Sequence, residues 1–378
     1  IFSFFYYQKI TNMVSNSALF QPTKIGNHQL EHRVVLAPLT RFRSDENHVP
    51  TDLQAEYYSQ RATKGGLLIA EATFINARNA GAYPGAPGIY NQEQINGWKK
   101  VTSAVHKKGG IIFLQLWHVG RATISRLLPN KAQPVSASNV AIRGPFMLSA
   151  DEDYEVPHSL SIDEIAEITQ EYVQAAKNAI IAGFDGIEIH GANGFLLDQF
   201  LNSSSNFRTD RYGGSTENRG RFTLEVVKAI SDAIGTERVG IRLSPWSGYQ
   251  DMEDNTPYET WGYLIQQFQK DHSNMAYVHM IEPRNSFSIK IEDNVNTLDP
   301  FRKVWKGPFI SADGYTTQPE LATEIADKTG NLIAIGRAFI ANPDIVYRLK
   351  NSIPLNRYNR NTFYTPGPVG YTDYPFAK

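Results

Sequence analysis

The sequence predicts an α/β protein, a (β/α)8 TIM barrel with a long lid or subdomain inserted after the third strand. Two observations carry that reading. Eight short runs rich in apolar and β-branched residues alternate with longer amphipathic stretches of helical period, the pattern of a parallel sheet with crossover helices. Polar residues and glycines then gather at the C-terminal ends of those runs, where a barrel keeps its chemistry. The length of 378 residues allows one such barrel with insertions.

Taken in order, the strands are expected at Val34 to Ala37, Leu67 to Ala72, Ile111 to Leu116, Gly186 to Ile189, Val239 to Leu243, Tyr277 to Ile281, Phe309 to Ser311, and Leu332 to Ile335. The intervening helices are expected at Leu53 to Thr63, Gln92 to His106, Ile162 to Ala182, Glu217 to Ile234, Tyr258 to Gln269, Pro319 to Asp327 and Pro343 to Asn351. The third helix has the clearest signals. Ser161 three residues before Glu164 is a capping-box spacing, Ile165, Ile168, Tyr172, Ala175, Ala176 and Ala179 share one face, and Gly183 ends the run. Between the third strand and this helix, Trp117 to Leu160 is rich in Ser, Pro and Gly, and a connection of that length is usually a lid or subdomain over the site. The reading is one barrel over 16–378 with an excursion at 117–160. Residues 1–15 are read as an extension: the apolar run Ile1 to Ile10 is too short to span a bilayer, and Met13 is a plausible initiator.

A formal net charge of -1 with Lys and Arg scattered among Asp and Glu supplies no basic patch for nucleic acid. The absence of cysteine excludes disulfides, thiolate metal sites, iron–sulfur clusters and a cysteine nucleophile. A cytoplasmic protein, monomer or homodimer, with small-molecule partners and no membrane contact is the expectation. The sequon at Asn202-Ser203-Ser204 is read as chance, and no Walker A, GxGxxG, HExxH or GxSxG motif occurs.

The chemistry centres on the fourth strand end, where His190 and Asn193 stand in a glycine-rich turn. A neutral imidazole and an amide can both donate to one oxygen, which is how a carbonyl is polarised. A lone His at a strand end is more often structural, so the other strand ends matter. Gly314 and the pair Gly336-Arg337, after strands seven and eight, match the usual phosphate site of such barrels. Thr40, Gln115 and Arg242 suit the edge of a polar heterocycle, donating to ring oxygens and an anionic nitrogen. The ligand implied is a flat heterocycle with a phosphate tail, such as flavin mononucleotide (FMN), with a sugar phosphate as the alternative. Gln115 and Thr40 could also simply cap their strands.

The segments Ala37-Pro38-Leu39-Thr40-Arg41, Gln115-Leu116-Trp117, Glu188 to Gly194, Arg208 to Arg219, Arg242-Leu243-Ser244-Pro245 and Gly336-Arg337 together resemble the Old Yellow Enzyme family, over about residues 19 to 375. These are FMN-dependent ene-reductases on a (β/α)8 barrel. The resemblance implies that Thr40, Gln115 and Arg242 bind the flavin ring, with Pro38 and Ala72 contacting it through backbone. It implies that Arg337 and the backbones of Gly314 and Gly336 hold the phosphate. His190 and Asn193 are then the donors to an activated alkene's carbonyl or nitro oxygen, and Tyr83, Trp117, Tyr249 and Tyr371 line the substrate pocket. NADPH is the implied co-substrate in a ping-pong reduction of enones, and phenols are implied ligands.

Two positions depart from the family pattern. Phe195 stands where most members carry a tyrosine whose hydroxyl protonates the substrate, a change that in some ergot-pathway relatives accompanies redox-neutral isomerisation. Asp313 stands where relatives usually carry glycine, and its carboxylate is expected to turn outward, away from a phosphate.

Overall fold

A side chain on a strand points to alternate faces, so each barrel strand has one row of residues for the interior and one for the helices. The computed structural model describes residues 16–283 and 295–377 and shows both rows. The expectations for residues 1–15 lie outside the described residues.

A hairpin of β1 (Thr23–Ile25) and β2 (His28–Leu30) leads into β3 (Val34–Leu36), β4 (Leu67–Phe74) and β5 (Ile111–Trp117). The excursion after β5 contains two short strands, β6 (Val135–Ser136) and β7 (His158–Ser159), which pair in parallel. The chain then forms β8 (Gly186–Gly191), β9 (Val239–Leu243), β10 (Tyr277–Ile281), β11 (Phe309–Ala312) and β12 (Leu332–Ile335). Strands β3, β4, β5, β8, β9, β10, β11 and β12 pair in parallel in chain order, and β12 returns to β3 through Ile335 opposite Leu36. The closed barrel of eight strands is therefore the one the alternation predicts.

The outward row, including Leu68, Leu114, Ile187, Ile189, Ile241, Val278 and Ile333, joins the helices in one large core. The inward row is graded. Ile25, Leu30, Val35, Phe113, Tyr277 and Ile310 make an apolar floor, with the β1–β2 hairpin as its plug. Gly186 and Gly240 are needed there, since a Cβ on either would overlap the Phe113 or the Tyr277 ring. Above the floor the same strands turn polar, through Gln115, Glu188, Arg242 and His279, and His190 stands at the open end.

The helices are α1 (Asp52–Arg61), α2 (Gln92–His106), α3 (Ile162–Ile181), α4 (Leu196–Leu201), α5 (Thr216–Ile234), α6 (Pro257–Asp271), α7 (Asp299–Val304), α8 (Glu320–Thr329), α9 (Arg337–Ala341) and α10 (Ile345–Lys350). In α3 the capping box forms: the Glu164 N–H donates to Ser161 Oγ at 3.2 Å and the Ser161 N–H to Glu164 Oε2 at 2.7 Å. Ile165, Ile168 and Tyr172 are buried along it, each contributing about 1.5–3 kcal/mol of apolar burial. The short helices α4, α7 and α9 were not legible in the sequence, because five or six residues hold less than two helical turns. No described helix is long and apolar enough to cross a membrane.

The excursion is tied to itself by Arg126 on Glu152, and it brings Phe146 and Tyr154 against Tyr83 and Trp117 at the open end of the barrel. Arg41 and Arg43 anchor the C-terminal segment at the same end. Their guanidinium groups donate to the carbonyls of Phe363, Gly367 and Gly370.

Candidate active site

The polar layer of the barrel opens into a cleft with two lobes. The smaller, about 210 Å3, is lined by Pro38, Arg242, Asp313, Gly314, Thr316, Gly336 and Arg337. The larger, about 450 Å3, is lined by Thr40, Tyr83, Gln115, Trp117, His190, Asn193, Phe195 and Tyr249. Pro38, Leu39, Arg242 and Arg337 border both lobes, so the two are continuous.

His190 is buried, and its pKa is held well below the usual imidazole value, first by burial and then by the positive charge of Arg242. It is neutral near pH 7 and can donate from one nitrogen. Its Nδ1 finds no partner among the described residues. Asn193 adopts φ 58°, a left-handed conformation, at the head of the turn into α4 and lies on the same wall. The spacing of the two in sequence, across the end of β8, therefore becomes a shared wall of one lobe.

Below them, Glu188 decides which end of Gln115 faces the cleft. Gln115 Nε2 donates to Glu188 Oε1 at 2.8 Å, and Glu188 Oε2 takes His279 Nδ1 at 2.8 Å, all fully buried. The carboxylate can only accept, so one N–H of the Gln115 amide is committed to it, and the carbonyl oxygen and the second N–H are left for a ligand. Gln115 was expected to donate; it keeps one donor for that and also offers an acceptor, suited to a ring N–H. Arg242 lies half-buried beside this group, its pKa lowered by desolvation and pulled back up by Glu188 and Asp313. Its Nε is without a partner among the described residues. Glu188 and His279 were not singled out from sequence, although Glu188 precedes His190 by two residues in a strand and so must share its inward face.

At the smaller lobe the Asp313 carboxylate, expected to leave the backbone donors free, lies on one of them. Asp313 holds φ 89°, a region that favours glycine, and its Oδ1 accepts the Gly314 N–H at 2.9 Å while the residue lines the lobe. The local reason is that one-residue reach: the carboxylate closes on the adjacent backbone donor, one of those expected to hold a phosphate.

The aromatic wall is built around Trp117. Its ring lies parallel to Phe74 at 5.2 Å and meets the edge of Phe195 at 4.9 Å, and Phe195 meets His190 at 4.9 Å. Phe195 thus sits between the indole and the imidazole with no polar atom to offer. Tyr83 lines the lobe, but its hydroxyl donates to the Ala122 carbonyl at 2.7 Å. The hydroxyl of Tyr249 donates to Met147 Sδ at 3.2 Å, a weak acceptor.

Two expected positions fall elsewhere. Tyr371 is fully buried behind the cleft, stacked on Tyr57 at 4.2 Å with the guanidinium groups of Arg41 and Arg43 over its ring, so it lines neither lobe. Tyr364 from the same C-terminal segment takes the place at the wall, together with Phe42, Met147 and Arg360. Ala72 lies in the irregular stretch of β4 between Ala70 and Thr73, inside the apolar cluster with Trp117 and off both linings.

The arrangement fits a flavin with a phosphate tail. Buried cationic and imidazole nitrogens without partners, a pre-oriented amide oxygen and a second lobe with Arg337 are what a polar ring and an anion need. A protein-family model, the NADH:flavin oxidoreductase / NADH oxidase family, matches residues 18–356. The chain belongs to the Old Yellow Enzyme family. Flavin oxidoreductase hxnT of Emericella nidulans is 48% identical, the match covering 95% of this chain and 98% of the relative. The 12-oxophytodienoate reductase 1 of Oryza sativa subsp. japonica is 49% identical over 95% of this chain and 93% of its own. Among solved structures, morphinone reductase superposes with a TM-score of 0.88 at 41% identity, over 96% of this chain and 97% of that one, and it has also been solved in complex with tetrahydroNAD. Within the Old Yellow Enzyme family this chain is thus an FMN oxidoreductase.

Proposed function

We propose that the chain reduces the C=C bond of α,β-unsaturated carbonyl compounds, taking its electrons from NADPH through bound FMN in a ping-pong cycle. The observation that carries this reading is the wall shared by neutral His190, Asn193, Trp117 and Phe195, opening onto the lobe lined by Arg242 and Arg337. FMN supplies hydride chemistry when bound; Gln115 and Arg242 hold its ring edge and Arg337 its phosphate. His190 and Asn193 hold the substrate carbonyl oxygen and stabilise the charge that develops on it. The name of 12-oxophytodienoate reductase supports the substrate class, and the tetrahydroNAD bound to morphinone reductase supports a nicotinamide dinucleotide as reductant, without choosing NADPH over NADH.

The proton for the α-carbon does not come from residue 195. Tyr83 is committed to Ala122, so solvent or Tyr249 supplies it. Phe195 also favours a second reading at the same site, a redox-neutral alkene isomerase in which hydride is given and taken back. Anaerobic mixing with NADPH, followed by 2-cyclohexenone, tests the proposal: the flavin absorbance bleaches and then returns. A flavin that NADPH leaves oxidised contradicts it.

Asp313 makes a further expectation concrete. Asp313→Gly removes a negative charge and a competing acceptor from the Gly314 N–H, so FMN binds the apoprotein about tenfold more tightly. Riboflavin, which lacks the phosphate, changes little. Fluorescence titration of both flavins checks this, and equal changes in the two would contradict it.

A further inference from the structure

We propose that Asp198, acting with Ser244, is a positioning residue for carbonyl binding: together they anchor the left-handed turn that aims the Asn193 amide into the cleft. The inference rests on the reading of His190 and Asn193 as donors to a substrate oxygen. Asn193 and Gly194 hold φ 58° and 74°, two successive residues in a region that side chains disfavour, so the turn needs outside anchors. Two are present. The Asn193 N–H donates to Ser244 Oγ at 2.8 Å, and the Gly194 N–H donates to Asp198 Oδ2 at 2.8 Å. Ser244 Oγ in turn donates to that same Asp198 oxygen at 3.4 Å, and Asn202 Nδ2 donates to Oδ1 at 3.0 Å.

The anchor links the ends of the two strands that carry the site. His190 and Arg242 are register partners on β8 and β9, and Ser244 follows β9 as Asn193 follows β8. On the other side the turn has no room to relax, because a Cβ at Gly194 would press on Gln250 and on the Tyr249 carbonyl. A shift of about 1 Å in a positioning group is enough to lose much of its effect on a reaction. Asp198 itself is fully buried and, among the described residues, forms no ion pair with a cation.

The charge on Asp198 gives the anchor a signature. Burial raises its pKa to about 7, against the pull of the Gly194, Ser244 and Asn202 hydrogen bonds and with a further push from Asp254. The charged groups facing it are Asp254, which Arg219 holds at 3.4 Å, and Arg121 from the excursion. An ionised carboxylate accepts more strongly than a neutral acid, so the anchor tightens as pH rises through about 7. Stability moves the other way. The folded pKa lies above the ordinary 3.8, so the unfolded chain releases this proton first and stability falls as pH rises from about 4 to about 7. A merely structural role would not strengthen binding while the fold weakens.

The test titrates the FMN-loaded protein with 2-cyclohexenone, which does not ionise, in the absence of reductant and from about pH 5.5 to about pH 8.5. The flavin absorbance change reports Kd. The wild-type Kd falls about three- to tenfold as pH rises through about 7. Asp198→Asn keeps one acceptor, enough for the Gly194 N–H, cannot titrate, and gives a Kd independent of pH. Asp198→Ala weakens binding about tenfold at every pH while FMN affinity is kept. Should Asp198→Ala fail to fold, Ser244→Ala is expected to show the same weakening. A pH dependence that survives in Asp198→Asn, or alanine variants that bind as the wild type does, would overturn the proposal. Protein that holds no flavin would overturn the parent reading, and with it this one.

Discussion

His190→Ala and Asn193→Ala each lower kcat/KM for 2-cyclohexenone by about 10²–10³-fold while the protein retains its flavin, because each removes a pre-oriented donor to the oxygen on which charge develops. Steady-state kinetics with flavin absorbance on the same samples checks this, and a parallel loss of flavin and activity would contradict it. The buried, neutral state of His190 adds a pH expectation. Its folded pKa lies below the ordinary value of 6.5, so the unfolded chain takes up the proton first and stability is lost as pH falls below about 6.5. His32, held at about 4, and His118, held at about 3, act in the same direction, both through burial. Activity does not depend on His190 losing a proton near neutrality.

Phe195→Tyr raises the rate of the oxidative half-reaction with 2-cyclohexenone by about 10²-fold or more, since it restores a positioned acid on the wall between Trp117 and His190. The reductive half-reaction with NADPH, which needs no such proton, is unchanged. Stopped-flow measurement of each half-reaction separates the two. A wild-type enzyme that already turns over as fast as the variant would mean that Tyr249 or solvent protonates the substrate well. The Tyr249 hydroxyl rests on the Met147 thioether, a weak acceptor, so its delivery is less defined than that of a tyrosine at 195.

Most of the barrel was legible because its two periodicities are strong. Apolar strand runs and amphipathic helices gave every barrel strand, and the inward row of β8 already carried His190. Most of what escaped the sequence shares one physical cause: it depends on residues distant in the chain meeting. Glu188 fixes the Gln115 amide from a neighbouring strand, and only the pairing of β5 with β8 shows that one of its two N–H donors is taken. Tyr371 looks like a wall residue in a C-terminal motif, yet Arg41 and Arg43 draw it behind the cleft and leave Tyr364 in front. Asp313 is the local exception: its carboxylate was expected to leave the backbone donors free, and it takes the adjacent Gly314 N–H. Asp198 reads as an ordinary acid in the first turn of a short helix until Ser244 arrives from β9.

The central claim, that this site uses FMN and NADPH to saturate an enone whose oxygen rests on His190 and Asn193, is tested most directly by product analysis. The FMN-loaded protein is turned over anaerobically with NADPH and 2-cyclohexenone, and product and NADPH are counted together. The account predicts cyclohexanone in equal amount to the NADPH consumed. Enone returned unreduced, with the flavin still reduced and no NADPH consumed beyond the first reduction, would contradict it and leave the redox-neutral isomerase as the reading that Phe195 supports.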